Sequence, residues 1–201
     1  AMNYHDIAIN RLKESANIKR QIAEDPELLG LVIKIAELIV EAYRNGKKVI
    51  LFGNGGSAAD AQHIAAELVG RYYIDRDPLP AIALTTNTSS LTAIGNDYTF
   101  DIIFTRQLKA LGHNGDIAIG FSTSGNSENI VQALKIAKEK GLVTIGFTGK
   151  SGGKVRDIAD YCVCIPSNNT PRIQEGHITI GHIICEIVES ELFGLDKTKD
   201  E

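Results

Sequence analysis

Long apolar runs are the first thing missing from this 201-residue chain. No stretch reaches the roughly 18 residues a membrane-spanning helix needs, so no membrane partner is expected. The opening AMNYHDIAIN lacks a basic-then-apolar signal pattern. The chain therefore reads as cytoplasmic, with Ala1 ahead of Met2 set aside as an expression remnant. Basic charge is also scarce: 21 Lys and Arg against 25 Asp and Glu give a formal net charge of -4. Nucleic-acid backbones need concentrated cations, so no nucleic-acid partner is expected. Cysteine is sparse and odd in number, with three residues. Cys162 and Cys164, in YCVCI, place both sulfurs on one strand face, and Cys185 lies in an apolar helical stretch. A thiolate zinc site would want more neighbouring Cys or His, so all three read as buried reduced thiols.

No internal repeat or low-complexity linker divides the sequence, and its length suits a single domain over 1–201. Residues 1–46 read as two packing helices. The second starts near EDPELL, where Asp25 can cap and Pro26 suits the first helical position. From 47 to 195, the strand candidates KVILFG, PAIALT, DIAIGFS, LVTIGFT and YCVCI alternate with helical patterns. Strands without hairpin dipeptides between them imply crossover helices. The expected fold class is three-layer α/β, a five-stranded mainly parallel sheet flanked by helices plus the N-terminal helical pair. The last helical pattern, about Pro171 to Phe193, is apolar on most faces. Together with the first two helices it suits either an oligomer interface or burial within the monomer. Residues 196–201, ending in KTKDE, read as an exposed tail that frays.

In an open parallel sheet, ligands bind where βα loops leave the carboxyl ends of the strands. Two loops have suitable chemistry. GNGGS at 53–57 brings backbone N–H groups close to a ligand through its glycines. STSGNS at 122–127 presents the hydroxyls of Ser122, Thr123, Ser124 and Ser127 at a helix start, an array that suits a phosphate dianion. A nucleotide cofactor is disfavoured. The dinucleotide pattern from Gly53 ends in Ala58, the next strand PAIALTTN ends without an acidic residue for a ribose, and GKSGGK has the wrong spacing for a Walker loop. GKSGGK reads instead as a turn and helix start.

His63 and Glu67 are four apart on the helix after the first loop, so they share a face and can reach one ion or substrate. On the final helix Gln174, Glu175, His177 and His182 interrupt an apolar pattern, which is costly unless they are paired. Taken together, GNGGSAADAQH, STSGNS, FTGK and RIQEGHITIGH resemble phosphoheptose isomerase, within the sugar isomerase (SIS) domain superfamily, over nearly the whole chain.

That resemblance implies a homotetramer with active sites at subunit boundaries, converting sedoheptulose 7-phosphate to D-glycero-D-manno-heptose 7-phosphate. This reaction opens the nucleotide-activated heptose pathway of lipopolysaccharide and other surface glycans. It further implies Glu67 as general base and His182 as general acid, with zinc held by His63, Glu67, Gln174 and His182. Substrate contacts would come from Asn54, Gly55, Gly56, Ser57, Arg71, Asn96, Asp97, Ser122, Thr123, Ser124, Ser127 and Gln174. One departure stands out. Before RIQE, where some members carry an acidic residue, this chain has NNTP.

Zinc as a Lewis acid would polarise the substrate carbonyl, but ligation lowers the basicity of Glu67, so its two implied roles partly conflict. Gln174 and His182 are also eight residues apart, about 12 Å along an ideal helix. They can share one ion only if the helix begins after Gln174 or both side chains lean inward. Two rivals remain open: a non-catalytic SIS regulator resembling the replication-initiator-associating proteins, and an isomerase of another phosphosugar.

Overall fold

The computed structural model describes residues 1–194. The expected KTKDE tail lies outside them. Two helices open the fold, α1 (Tyr4–Ala23) and α2 (Pro26–Arg44). The α2 start is the expected one: the Asp25 side chain accepts from Leu28 N, with Pro26 at the first position. The alternating region follows as β1 (Val49–Gly53), α3 (Gly56–Val69), β2 (Ala81–Ala83), α4 (Thr88–Asp97), a 3-10 turn at Phe100–Ile102, α5 (Ile103–Leu111) and β3 (Ile117–Phe121). It continues as α6 (Glu128–Glu139), β4 (Val143–Thr148), α7 (Gly153–Ile158), β5 (Tyr161–Cys164) and α8 (Thr170–Phe193).

All five expected strands form, in one sheet of order β2-β1-β3-β4-β5 with every pairing parallel. Alternate strand residues feed two cores. Val49, Leu51, Ile117, Ile119, Ile145 and Phe147 pack with α2, α3 and α8. On the other face, Ile50, Phe52 and Ala118 pack with α5, α6 and α7. The result is three layers. Chain direction across the sheet reverses between β1 and β3, so the loops after these two strands lie side by side at the switch point.

Burial within the chain accounts for most of the apolar character of α2 and α8. Val32, Ile35, Ala36 and Ile39 on the first, and Ile173, Ile180, Ile184 and Val188 on the second, are buried. Ile7, Leu12, Leu29, Ile33 and Ile183 remain exposed. All three cysteines are free thiols, but only Cys185 is buried as expected; Cys162 and Cys164, 3.7 Å apart on the same side of β5, are half-buried because β5 is the edge strand of the sheet. Among the described residues no helix is long and apolar enough to cross a membrane.

One polar residue of α8 belongs to the core. His177 is fully buried, its Nε2–H donates to the Thr148 carbonyl at 2.9 Å, and Phe121 and Phe147 meet its ring edge-on. Its Nδ1 has no partner, and burial pulls its pKa down to about 4, against the opposing pull of the Thr148 bond. An unfolded imidazole takes up its proton near pH 6.5, the folded one only near 4. Stability is therefore complete above that window and is lost as pH falls through it. Acidification from pH 7 to 4 is expected to cost the wild type about 3 kcal/mol more than it costs His177→Gln. Urea unfolding at a series of pH values, with chelator present, checks this; parallel curves would show that His177 is not the titrating group.

Candidate active site

The first loop turns at Gly55, whose φ of 55° favours glycine, directly into α3. A β-carbon on Gly56 would strike the Gln174 amide, so the start of α3 lies against the beginning of α8. One turn further on, Asp60 shares the α3 face with Gly56, His63 and Glu67. On α8, a β-carbon at Gly181 would collide with Ile64 Cδ1. The two helices thus run side by side in the same direction. His182, next to that contact, is thereby delivered to His63 and Glu67.

His182 Nε2 lies 3.3 Å from His63 Nε2 and 3.7 Å from Glu67 Oε2. The three side chains each offer one ligand atom within 4.8 Å of the others, forming a possible metal-binding triad. Burial holds the His182 imidazole below its usual pKa, His63 adds to that effect, and Glu67 opposes it. His63 meets the His182 ring edge-on, with centroids 4.7 Å apart, and Tyr72 stacks on it at 5.4 Å.

Gln174 lies eight residues before His182 on α8. Because α8 begins at Thr170, both Gln174 and His182 are helical and about two turns separate them. Within one chain, Gln174 accompanies the glycine loop instead. The departure NNTP forms the α8 start: Asn169 is the N-cap position and its side chain donates to Glu14 Oε1 at 3.3 Å.

The second loop gathers hydroxyls at a helix start. Gly125 turns at φ 72°, and the Ser122 hydroxyl, nearly buried, lies 3.1 Å from Ser127 Oγ and 3.5 Å from Ser124 Oγ. Ser127 is the N-cap position of α6, yet its side chain makes no cap hydrogen bond to the helix. Its hydroxyl faces Ser122 instead, and an uncapped helix start beside clustered hydroxyls is suited to an anion. The loop is braced from behind: Gly149 N donates to Thr123 O, Val155 N to Gly125 O, and Lys154 N to Asn126 Oδ1, each at 2.9–3.0 Å. The two loops are locked together by reciprocal amide bonds between Asn54 and buried Asn129, at 2.9 and 3.0 Å. Ser57 is buried in the first turn of α3.

Arg71, Asn96 and Asp97 are exposed. Asn96 Nδ2 donates to its neighbour Asp97, and among the described residues none of the three bonds to either loop. Two residues missed in the sequence belong to the site. Asp60 carries a buried oxygen without a partner, and its pKa is raised to about 6 by burial, against the pull of His63. Its signal was its place one turn before His63 on the same helical face. Asn129 has no comparable signal, since its partner lies 75 positions away.

A parallel sheet of this order, with a serine-rich loop at its switch point, is the three-layer α/β architecture in which sugar isomerase domains are built. The SIS domain family model matches residues 12–149. Phosphoheptose isomerase of Aneurinibacillus thermoaerophilus is 55% identical over 189 residues, covering 94% of this chain and 96% of that protein. The Clostridium acetobutylicum phosphoheptose isomerase is 56% identical over 184 residues, covering 92% and 94%. Among solved structures, phosphoheptose isomerase GmhA from Neisseria gonorrhoeae superposes with a TM-score of 0.88 at 41% identity, covering 94% of this chain and all of that one. The chain belongs to the phosphoheptose isomerase family.

The close approach of α3 and α8 is directly testable. Gly181→Ala is expected to lose about 1–3 kcal/mol in urea unfolding, the range for overpacking a filled contact. Wild-type stability in that variant would mean the helices have room to separate.

Proposed function

We propose that this chain is an aldose–ketose isomerase that converts sedoheptulose 7-phosphate to D-glycero-D-manno-heptose 7-phosphate through an enediol. It would thereby open nucleotide-activated heptose synthesis in the cytoplasm. The observation that carries the reading is the approach of Glu67 and His182 to 3.7 Å on helices that also border the anion loop. This arrangement occurs in a chain about 55% identical to proteins named for that activity.

In this reading Ser122, Thr123, Ser124 and Ser127 hold the phosphate at the α6 start. The glycine loop, with Asn54, Ser57 and Gln174, lines the sugar chain. Glu67 takes the proton from C1 of the ketose and returns it to C2, while His182 moves a proton between the two oxygens. Arg71, Asn96 and Asp97 stay assigned to the sugar as expected from the sequence. Asp60, held up to about 6, is a second carboxylate able to carry a proton near neutral pH.

Two imidazole nitrogens and a carboxylate oxygen within 4.8 Å fit the usual ligand set of catalytic zinc. His63, Glu67 and His182 would hold the ion, which when bound supplies Lewis-acid polarisation of the carbonyl. Gln174 is assigned to zinc only through the family resemblance, and its place against Gly56 favours the substrate role.

The assembly we propose is a homotetramer with sites at subunit boundaries. Supporting it are exposed Ile7, Leu12, Leu29 and Ile33 on the first two helices and exposed Ile183 beside His182. Charged substitutions at Leu12 and Ile33 are expected to yield smaller species by native mass spectrometry, with activity lost in parallel. A monomer that retains full activity would show that each site is complete within one chain.

Turnover of sedoheptulose 7-phosphate, followed by NMR of the aldose, tests the reaction itself. The expected result is wild-type conversion, a fall of about 10²–10⁴-fold in Glu67→Gln, and loss on chelation with recovery on adding zinc. A folded, phosphate-binding wild type without turnover would favour a regulator or another phosphosugar.

A further inference from the structure

The segment RYYIDRDPLP joins α3 to β2. In the structure it is organised around one carboxylate. Glu189 of α8 is 2% exposed and accepts from three successive backbone amides, Tyr72 N at 2.9 Å, Tyr73 N at 2.7 Å and Ile74 N at 2.6 Å. Arg76 Nε completes the set at 2.9 Å. Both carboxylate oxygens are used twice, which is what a buried charge requires.

The rest of the Arg76 guanidinium reaches the end of α3. Its Nη1 donates to the carbonyls of Leu68, Gly70 and Asp77, and its Nη2 to the carbonyl of Glu67 at 2.8 Å. These carbonyls lie at or beyond the last helical turn, where intrahelical donors run out and a cation is favoured. Glu189 itself is seven residues after His182, two turns along the same face of α8. One buried ion pair therefore fixes three things relative to one another: the backbone of Glu67, the face of α8 that carries His182, and the start of the loop.

The side chain placed by this grip is Tyr72. Its ring stacks on the His182 imidazole, with centroids 5.4 Å apart and planes 30° apart. His63 occupies the edge-on position on the same ring. Tyr72 and His63 thus border the His182 imidazole on two sides.

We propose that Tyr72 is a positioning residue that orients His182 toward Glu67, and that the Glu189–Arg76 pair acts on the reaction by holding Tyr72 there. The proposal rests on the isomerase reading for its kinetic consequence, but the orientation of His182 is observable without turnover. A purely structural pair would alter stability and leave the imidazole and kcat unchanged.

The test uses the full-length protein with selectively 13C-labelled histidine, in chelator, and kinetics with sedoheptulose 7-phosphate after zinc is restored. In the wild type, the His182 ring signals are expected to carry the upfield shift of a stacked aromatic, and Tyr72→Phe to retain it. Tyr72→Ala is expected to lose it, and so is Glu189→Gln although it still contains Tyr72. Kinetically, Tyr72→Phe should stay within about twofold of wild type. Tyr72→Ala should lose about 10- to 100-fold in kcat, with KM changed by less than about threefold, the signature of misplacement. The double variant Tyr72→Ala/Glu189→Gln should be no slower than the slower single variant.

His182 signals unchanged in Tyr72→Ala, or a loss confined to KM, would overturn the proposal. So would additive losses in the double variant. Should Glu189→Gln fail to fold, Arg76→Lys replaces it with the same expected spectrum. A wild type without turnover would defeat the isomerase reading alone, and the NMR comparison would still decide the positioning.

Discussion

The side-by-side contact of α3 and α8 is the constraint on which the site depends. Each helix follows a parallel strand, and their residues meet in ascending order: Gly56 with Gln174, Ile64 with Gly181, then His63 and Glu67 with His182. Two glycines permit the approach. A β-carbon at position 181 would meet the Ile64 side chain, so either that side chain or the helices must shift to admit it. Helix packing here sets the distance between Glu67 and His182.

The pair Arg76–Glu189 secures the far end of the same contact. A buried ion pair is a poor source of net stability, because desolvation consumes much of the Coulombic attraction. Its value lies in geometry. Four donors converge on one carboxylate and four carbonyls converge on one guanidinium, so slippage of α8 past α3 by even one residue would leave several buried polar groups unpaired.

The fold was legible because its signals are local. Runs such as KVILFG and DIAIGF are apolar and β-branched over strand lengths, and Asp25-Pro26 marks a helix start by its own chemistry. The serine loop was legible for the same reason: its hydroxyls are consecutive, and a helix follows at once. His63 and Glu67 were found by their spacing. What escaped were partners remote in sequence. Glu189 and Arg76 carry no local signal, because their meaning comes from each other across 113 positions. Asn54 and Asn129 are a similar case. The apolar breadth of α8, read as either an interface or a core, is mostly core, and His177 among its polar residues is a buried structural group rather than part of the site. Gln174 and His182, expected around one ion, stand two turns apart on a helix that starts before either.

The two loops at the switch point share a further property. Neither α3 nor α6 receives a side-chain cap at its first turn, which they share with α5, α7 and α8, whereas Asn3, Asp25 and Asn87 cap α1, α2 and α4 with their own oxygens. A bound anion would complete α6 as a cap does, and would add to the cohesion of this edge of the sheet. The loops themselves are held by backbone and amide bonds, so what a ligand would add at this edge is the missing partner of a helix start and not the shape of the loop.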